Sequence, residues 1–209
     1  MLRYGSHFRL PPEHAQWERQ YQEAIERHVK DQQKVGLGEP PLDVSFVRFV
    51  KPDERSTVYQ ECMARQGWAV AIEFDGGISY GDYPADQTPA LLEADFRCWV
   101  QYPLNPRYAQ PPTERQAHVV YDYFVRELVP CLEREGYDVD RTAIPTVETF
   151  MATFQQNGSW LPYDTVMKRQ NDLAAANGGT VPKEWKHEWE RINKACPQGP
   201  PIDRMYPLN

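Results

Sequence analysis

CMARQGWAV (residues 62–70) and CLEREGYDV (residues 131–139) align without gaps and carry the same residue at four of nine positions: Cys, Arg, Gly and Val. Three of the differences are conservative, Met63 against Leu132, Gln66 against Glu135 and Trp68 against Tyr137. In each copy the glycine, Gly67 or Gly136, stands where a left-handed residue closes a helix, a conformation that only glycine adopts without a Cβ penalty. The aromatic residue and valine that follow suit extended chain. Each copy therefore reads as the last turn of a helix that presents a cysteine and then turns away from the helix axis.

A second cysteine follows each copy. Cys98 precedes Tyr102-Pro-Leu-Asn105, and Cys196 precedes Tyr206-Pro-Leu-Asn209 after a longer spacer. Both halves thus run Cys, Gly-aromatic, Cys and YPLN in the same order. These are all four cysteines, with no CxxC pair and no histidine at zinc-ligand spacing, which argues against a structural zinc site. One cysteine pair per copy favours Cys62 with Cys98 and Cys131 with Cys196 among the three connectivities that four cysteines allow. Loop closure over 36 and 65 residues would give each bridge about 4 kcal/mol. Disulfides imply an oxidising compartment. Four buried thiols in a reducing one remain the alternative at this point.

The 209 residues suit one domain or two small ones. With 30 acidic against 23 basic residues the formal charge is -7, and without a long Lys or Arg cluster there is no surface for tracking phosphates, so no nucleic-acid partner is expected. The longest apolar run, residues 68–72, falls far below the roughly 20 residues of a membrane span. The first residues have no apolar stretch of signal-peptide type, so an exported form would be a mature chain.

Helical spacing of three and four recurs along the chain. After an unstructured lead over 1–11, a helix is predicted from Pro12 to about Lys34, with Trp17, Tyr21, Ile25, His28 and Val29 on one stripe. A linker follows at 36–41, then a strand over DVSFVRFV (43–50), a helix from Pro52 to Gly67, and a hairpin turning at Asp75-Gly-Gly77 between Trp68–Phe74 and Ile78–Tyr80. A helix to about Gln101 puts Leu91, Leu92, Phe96 and Trp99 inward. The four prolines of 102–112 make an extended connector. Thr113 and Gln116 form a capping-box start for a helix to Glu135 that carries Ala117, Val120, Phe124, Leu128 and Cys131 inward and is expected to kink at Pro130. Shorter helices are predicted over 145–154, capped near Asn157-Gly158, and over 162–177. A last one from Pro182 carries Trp185, Trp189, Ile192 and Cys196. The predicted class is α+β, mostly helical with a small antiparallel sheet, built from two repeated helix-Cys-Gly-aromatic modules stapled by disulfides. Its parts are 1–41 (N-terminal helix and linker), 42–110 (first module, with the hairpin) and 111–209 (second module), packed as one domain.

Few residues point to chemistry. Asp75, Asp82 and Asp86, with Tyr80 and Tyr83, lie in a Gly-rich stretch that could wrap calcium, but the spacing is not that of an EF-hand and a tight turn explains the composition. Trp160 and Tyr163 read as loop aromatics open to a sugar or peptide, whereas Trp185 and Trp189 share a core stripe. Asp95 falls between Leu91, Leu92 and Trp99 on an apolar helix face. It is expected at the stripe's edge, paired with Arg97 or Arg65. His7, His14, His28, His118 and His187 are scattered, and no GxSxG, P-loop or GxGxxG motif occurs. No catalytic residue, metal or cofactor is assigned.

SFVRFV, the ECM and CLE cysteines with their Gly-aromatic pairs, FDGGISYGDYP, CWVQYPLNPRYAQPP and YDYFVRELVPCLEREGY together resemble a group of uncharacterised exported proteins and lipoproteins of actinobacteria, over about residues 40–165. The resemblance implies an extracellular or envelope setting and no particular chemistry. It lacks here the signal peptide and lipobox cysteine of that group. The expected function is non-enzymatic binding, or a structural role, toward a protein, peptide or glycan of the envelope. The alternatives are a small cell-wall-polymer hydrolase using two carboxylates as acid and base, a subunit of an extracellular or viral assembly, and an intracellular protein with buried thiols.

Overall fold

The computed structural model describes residues 4–154 and 159–207. These residues are mostly helical, with one two-stranded antiparallel sheet, the predicted α+β class. The chain divides into two compact units, Met1–Gln110 and Pro111–Asn209. Both predicted disulfides are formed, Cys62–Cys98 and Cys131–Cys196, each with a Cα separation of 5.7 Å. No cysteine is free. Among the described residues no helix is long and apolar enough to cross a membrane.

In the first unit, helix α1 (Glu18–Lys34) follows a 3-10 turn at Pro12–Trp17 and buries Tyr21, Ile25 and Val29. The Tyr21 hydroxyl donates to the Val100 carbonyl of α3 (Thr88–Gln101) at 3.0 Å, which joins the two helices over a core that includes Phe96 and Val100. The lead is not unstructured. Tyr4 and Phe8 are buried in the same core, and buried Glu26 accepts the backbone N–H groups of Tyr4 and Gly5, satisfying donors that would otherwise be orphaned. A Cβ on Gly5 would lie 2.5 Å from the Gln22 carbonyl oxygen, so only glycine allows this approach.

Residues 43–50 do not form the predicted strand. They run beside 101–105, with Val47 N–H donating to the Gln101 carbonyl at 2.9 Å and Val50 N–H to the Pro103 carbonyl at 3.0 Å, and only Val50 and Leu104 pair as a parallel bridge. Pro103 and Pro106 offer no N–H, so the ladder cannot continue. Nor is 102–112 extended throughout: Asn105 caps a 3-10 turn at Pro106–Ala109.

Helix α2 (Arg55–Arg65) leads into the hairpin β1 (Val70–Ile72) and β2 (Ile78–Tyr80), in which Val70 pairs with Tyr80 and Ile72 with Ile78. The alternation predicted for this segment is only half realised. Val70 packs with Met63, Leu91 and the Cys62–Cys98 bridge, while Ile72, at the far end of the ribbon, is 38 % exposed.

The second unit opens with α4 (Glu114–Tyr123) and its predicted capping box. The chain then widens into a π-helical turn, Phe124–Leu128, before α5 (Val129–Arg134). Pro130 can neither donate nor tolerate the carbonyl of an ordinary preceding turn, and the wider turn, closed by Val129 N–H on the Phe124 carbonyl, meets that constraint. The turn also changes the helix phase. Val129 and Leu132 become fully buried, and Cys131, expected in the core, is only partly buried against it.

Helices α6 (Val147–Thr153), α7 (Asp164–Ala176), α8 (Trp185–Ala195) and α9 (Ile202–Met205) complete the unit. Their core gathers Phe150, Tyr163, Val166, Trp185 and Ile192 around Phe124 and Leu132. The cap expected near Asn157-Gly158 lies outside the described residues.

The two copies of the repeat end their helices identically. Gly67 and Gly136 have φ of 86° and 82°. Trp68 and Tyr137 N–H donate back to the carbonyls of Met63 and Leu132 at 2.9 and 3.0 Å, and the glycine N–H groups to Ala64 and Glu133, the paired bonds of a Schellman motif. Tyr102 and Tyr206, which open the YPLN segments, likewise stop α3 and α9 with similar backbone angles, φ/ψ -129/57° and -132/68°.

On the surface of the second unit, Glu188 binds Arg191 at 2.9 Å and accepts from the Tyr137 hydroxyl at 2.7 Å. The Arg191 guanidinium, helped by Tyr137, holds the Glu188 carboxyl down to about 2, against 4.5 ordinarily. A depressed folded-state pKa contributes stability that is complete above the unfolded value and is lost as pH falls through the folded one. The stability difference between the native chain and Glu188→Gln, from urea midpoints, should therefore shrink between pH 4.5 and 2. A difference that stays constant across that interval would contradict the arrangement.

Candidate functional site

Three helices and the hairpin of the first unit each turn polar side chains toward one point. A spacing of four puts two residues on the same helix face, which pairs His28 with Gln32 on α1, Arg55 with Tyr59 on α2, and Asp95 with Trp99 on α3. Tyr80 comes from β2, and the turn at Gly76-Gly77 closes one side. Together with Tyr102, Pro103 and Leu104 they line a recess of about 410 Å³.

Asp95 lies at its centre and is 8 % exposed. Its Oδ1 accepts from the Tyr59 hydroxyl and, at 3.4 Å, from that of Tyr80; the two hydroxyls are 2.7 Å apart. Its Oδ2 accepts from Gln32 Nε2 at 3.0 Å, and His28 Nε2 lies 3.2 Å away, within ion-pair distance although not aligned as a hydrogen bond. The His28 ring stacks on Trp99, with centroids 4.6 Å apart and planes 9° apart, and is near-parallel to Phe96 at 6.1 Å. Burial, followed by the Asp95 charge, pushes the Tyr59 hydroxyl far above its ordinary pKa, so it remains a proton donor. Burial also raises Tyr80. Two buried polar atoms of residues that line the recess, Gln32 Oε1 and His28 Nε2, have no hydrogen-bond partner.

Asp95 is therefore not an edge residue paired with arginine. Arg97 binds Asp43 and Glu93, both at 2.9 Å, and Arg65 donates to the Tyr102 hydroxyl at 3.1 Å. Position 95 faces α1 and α2 together, and they supply tyrosine, glutamine and histidine donors in place of a guanidinium. Asp95 is the one carboxylate lining the recess. The two-carboxylate layout of a glycosidase is not found in it. The arrangement can orient hydroxyl-bearing ligands.

The other residues singled out in the sequence are spread across the structure. Asp75 shapes the hairpin turn by accepting from Gly77 N–H at 2.8 Å, and both Asp75 and Asp82 are exposed. Tyr83 meets Trp68 edge-on at 6.0 Å and is 40 % exposed. Tyr80 alone of this group reaches the recess. Tyr163, expected open in a loop, is core: it is 5 % exposed, and its hydroxyl donates to the carbonyls of Ile192 and Cys196 at 3.1 and 2.6 Å. Trp160 is partly buried, edge-on to Phe124 at 6.1 Å. The two pack against one apolar cluster, since an aromatic ring gains more from that burial than from water. Among the described residues no group of three His, Cys, Asp or Glu side chains is placed to hold a metal ion.

The residues missed in the sequence are His28, Gln32, Tyr59 and Trp99. The available signal was a histidine on one apolar stripe and an aspartate on another. No protein-family model, curated protein or solved structure matches the chain.

Proposed function

We propose that this is an exported protein of the cell envelope or exterior, stapled by its two disulfides, which binds a ligand from that setting in the recess around Asp95 without transforming it. The observation that carries the binding role is the cluster of Asp95, His28, Gln32, Tyr59 and Tyr80. Burying a carboxylate with incompletely satisfied neighbours costs stability. Such a group is better explained by a ligand that completes its hydrogen bonds than by packing. The setting rests on the two bridges, which persist in oxidising compartments, and on the resemblance to exported actinobacterial proteins.

Two measurements test the proposal. Denatured protein from its native host, alkylated before reduction, should gain no mass, and after reduction should gain four adducts. Four adducts without reductant would end the exported reading. A soluble digest of the host's cell envelope, added to isotopically labelled protein, should shift the amide signals of Gly76, Gly77 and Tyr80 around the recess. Signals that stay in place would remove the recess as the ligand site.

A further inference from the structure

We propose that the recess is a carbohydrate site, in which a neutral pyranose ring lies against the aromatic walls and its hydroxyls complete the polar cluster at Asp95. This rests on the reading of the recess as a ligand site and names its ligand class.

Charge narrows the choice first. A buried carboxylate at the centre repels an anionic ligand. A cation finds Asp95 already surrounded by four groups, with Tyr59 and Tyr80 at one oxygen and Gln32 and His28 at the other. At the rim stands Arg55, which makes no ion pair among the described residues and opposes a positive ligand. A neutral ligand remains.

The hydrogen-bond inventory is the second observation. Gln32 Nε2 donates to Asp95, so Gln32 Oε1 is held as an acceptor without a donor, and it is buried. His28 Nε2 is buried and has no aligned hydrogen-bond partner. Gln32 Oε1 is an acceptor, an imidazole nitrogen takes either role with its tautomer, and so do the tyrosine hydroxyls. A sugar hydroxyl is donor and acceptor at once and can pair with the tyrosine hydroxyls lining the recess whichever role they take.

Shape agrees. Tyr59, Tyr80, Trp99 and Tyr102 line the recess with amphipathic rings of the kind that pack on the C–H side of a pyranose, with one face of Trp99 taken by His28 and one of Tyr102 by Arg65. His28 is held between Trp99 and Asp95, so little side-chain freedom is left to lose on binding. The volume of about 410 Å³ falls in the usual range of about 300–1,000 Å³ for small-molecule sites. A second recess of about 330 Å³ shares Arg55, Trp99, Pro103 and Leu104 with the first, which gives a linked sugar unit a place to continue.

Saturation-transfer NMR on the full chain tests this with methyl glycosides of glucose, galactose, mannose, N-acetylglucosamine and arabinose, beside Gly-Pro-Pro, acetate and tetramethylammonium. Transfer to the ring protons of at least one glycoside is expected. Its Kd should rise roughly tenfold in Asp95→Asn, as for loss of one buried hydrogen-bond partner. Arg55→Ala and Tyr80→Phe, which alter the rim and one hydroxyl, provide the readout if Asp95→Asn does not fold, and should each weaken binding. No glycoside transfer, or transfer that none of these variants changes, overturns the carbohydrate assignment. If the peptide or an ion then binds in a manner sensitive to the variants, the recess survives as a ligand site of another class. If no probe does, both readings fall.

Discussion

Replacing Cys62 and Cys98 together by alanine should lower the free energy of unfolding by about 4 kcal/mol, most of it through the unfolded chain, which is freed from a closed loop. That loop spans 36 residues. Both cysteines are almost completely buried beside Met63, Val70 and Leu91, so the alanines also leave a small void. Urea denaturation gives the loss directly, and the m-value should rise because the unbridged denatured chain exposes more surface. A loss under about 1 kcal/mol would mean that the bridge closes a loop the unfolded chain already holds compact. The bridge also ties α2 to α3, hence Tyr59 to Asp95. The amides around the recess should broaden in the variant before the molecule unfolds.

The second large effect is expected at Phe150. Its ring is fully buried in the second unit, 5.3 Å from Tyr121, 6.0 Å from Phe124 and 5.1 Å from Phe154 between centroids. Phe150→Ala removes a ring at the meeting point of α4, α6 and the π-helical turn, and should cost about 3–5 kcal/mol, as large-to-small replacements in rigid cores do. Near-ultraviolet circular dichroism across a urea titration reads this through Trp160 and its neighbours. A cost below about 1 kcal/mol would show that the surrounding rings collapse into the space. Amide signals at Gly76 and Gly77, followed in the same titration, report whether the first unit unfolds at the same urea concentration.

The parts of this fold legible in the sequence are those that depend on near neighbours. Gly67 and Gly136 announce helix ends because a left-handed residue needs glycine, Thr113 with Gln116 announces a helix start, and the duplicated cysteines announce their partners. The strand expected at 43–50 fails for a reason outside the segment: its neighbour carries Pro103 and Pro106. The lead reads as featureless because its anchor, Glu26, lies on another element. Asp95 is the clearest case. Its helix face reads as apolar with one polar exception, and nothing nearby in sequence reveals the donors, since Gln32 is 63 residues away and Tyr59 is 36. Tyr163 errs in the opposite direction, a loop residue by local context and a core residue through the carbonyls of Ile192 and Cys196.

The wide turn at Phe124–Leu128 makes chain length a structural quantity in its own right. An ordinary helix advances by about 100° per residue, and the wide turn takes in one residue more for nearly the same rotation, so a one-residue deletion within 124–128 would restore an ordinary turn and leave the residues beyond it facing as before. Cys131 would still face Cys196. The cost would fall on Pro130, which would meet the carbonyl that the wide turn keeps away. The turn thus acts as slack of one residue that spares the proline, and the second bridge should close with or without it.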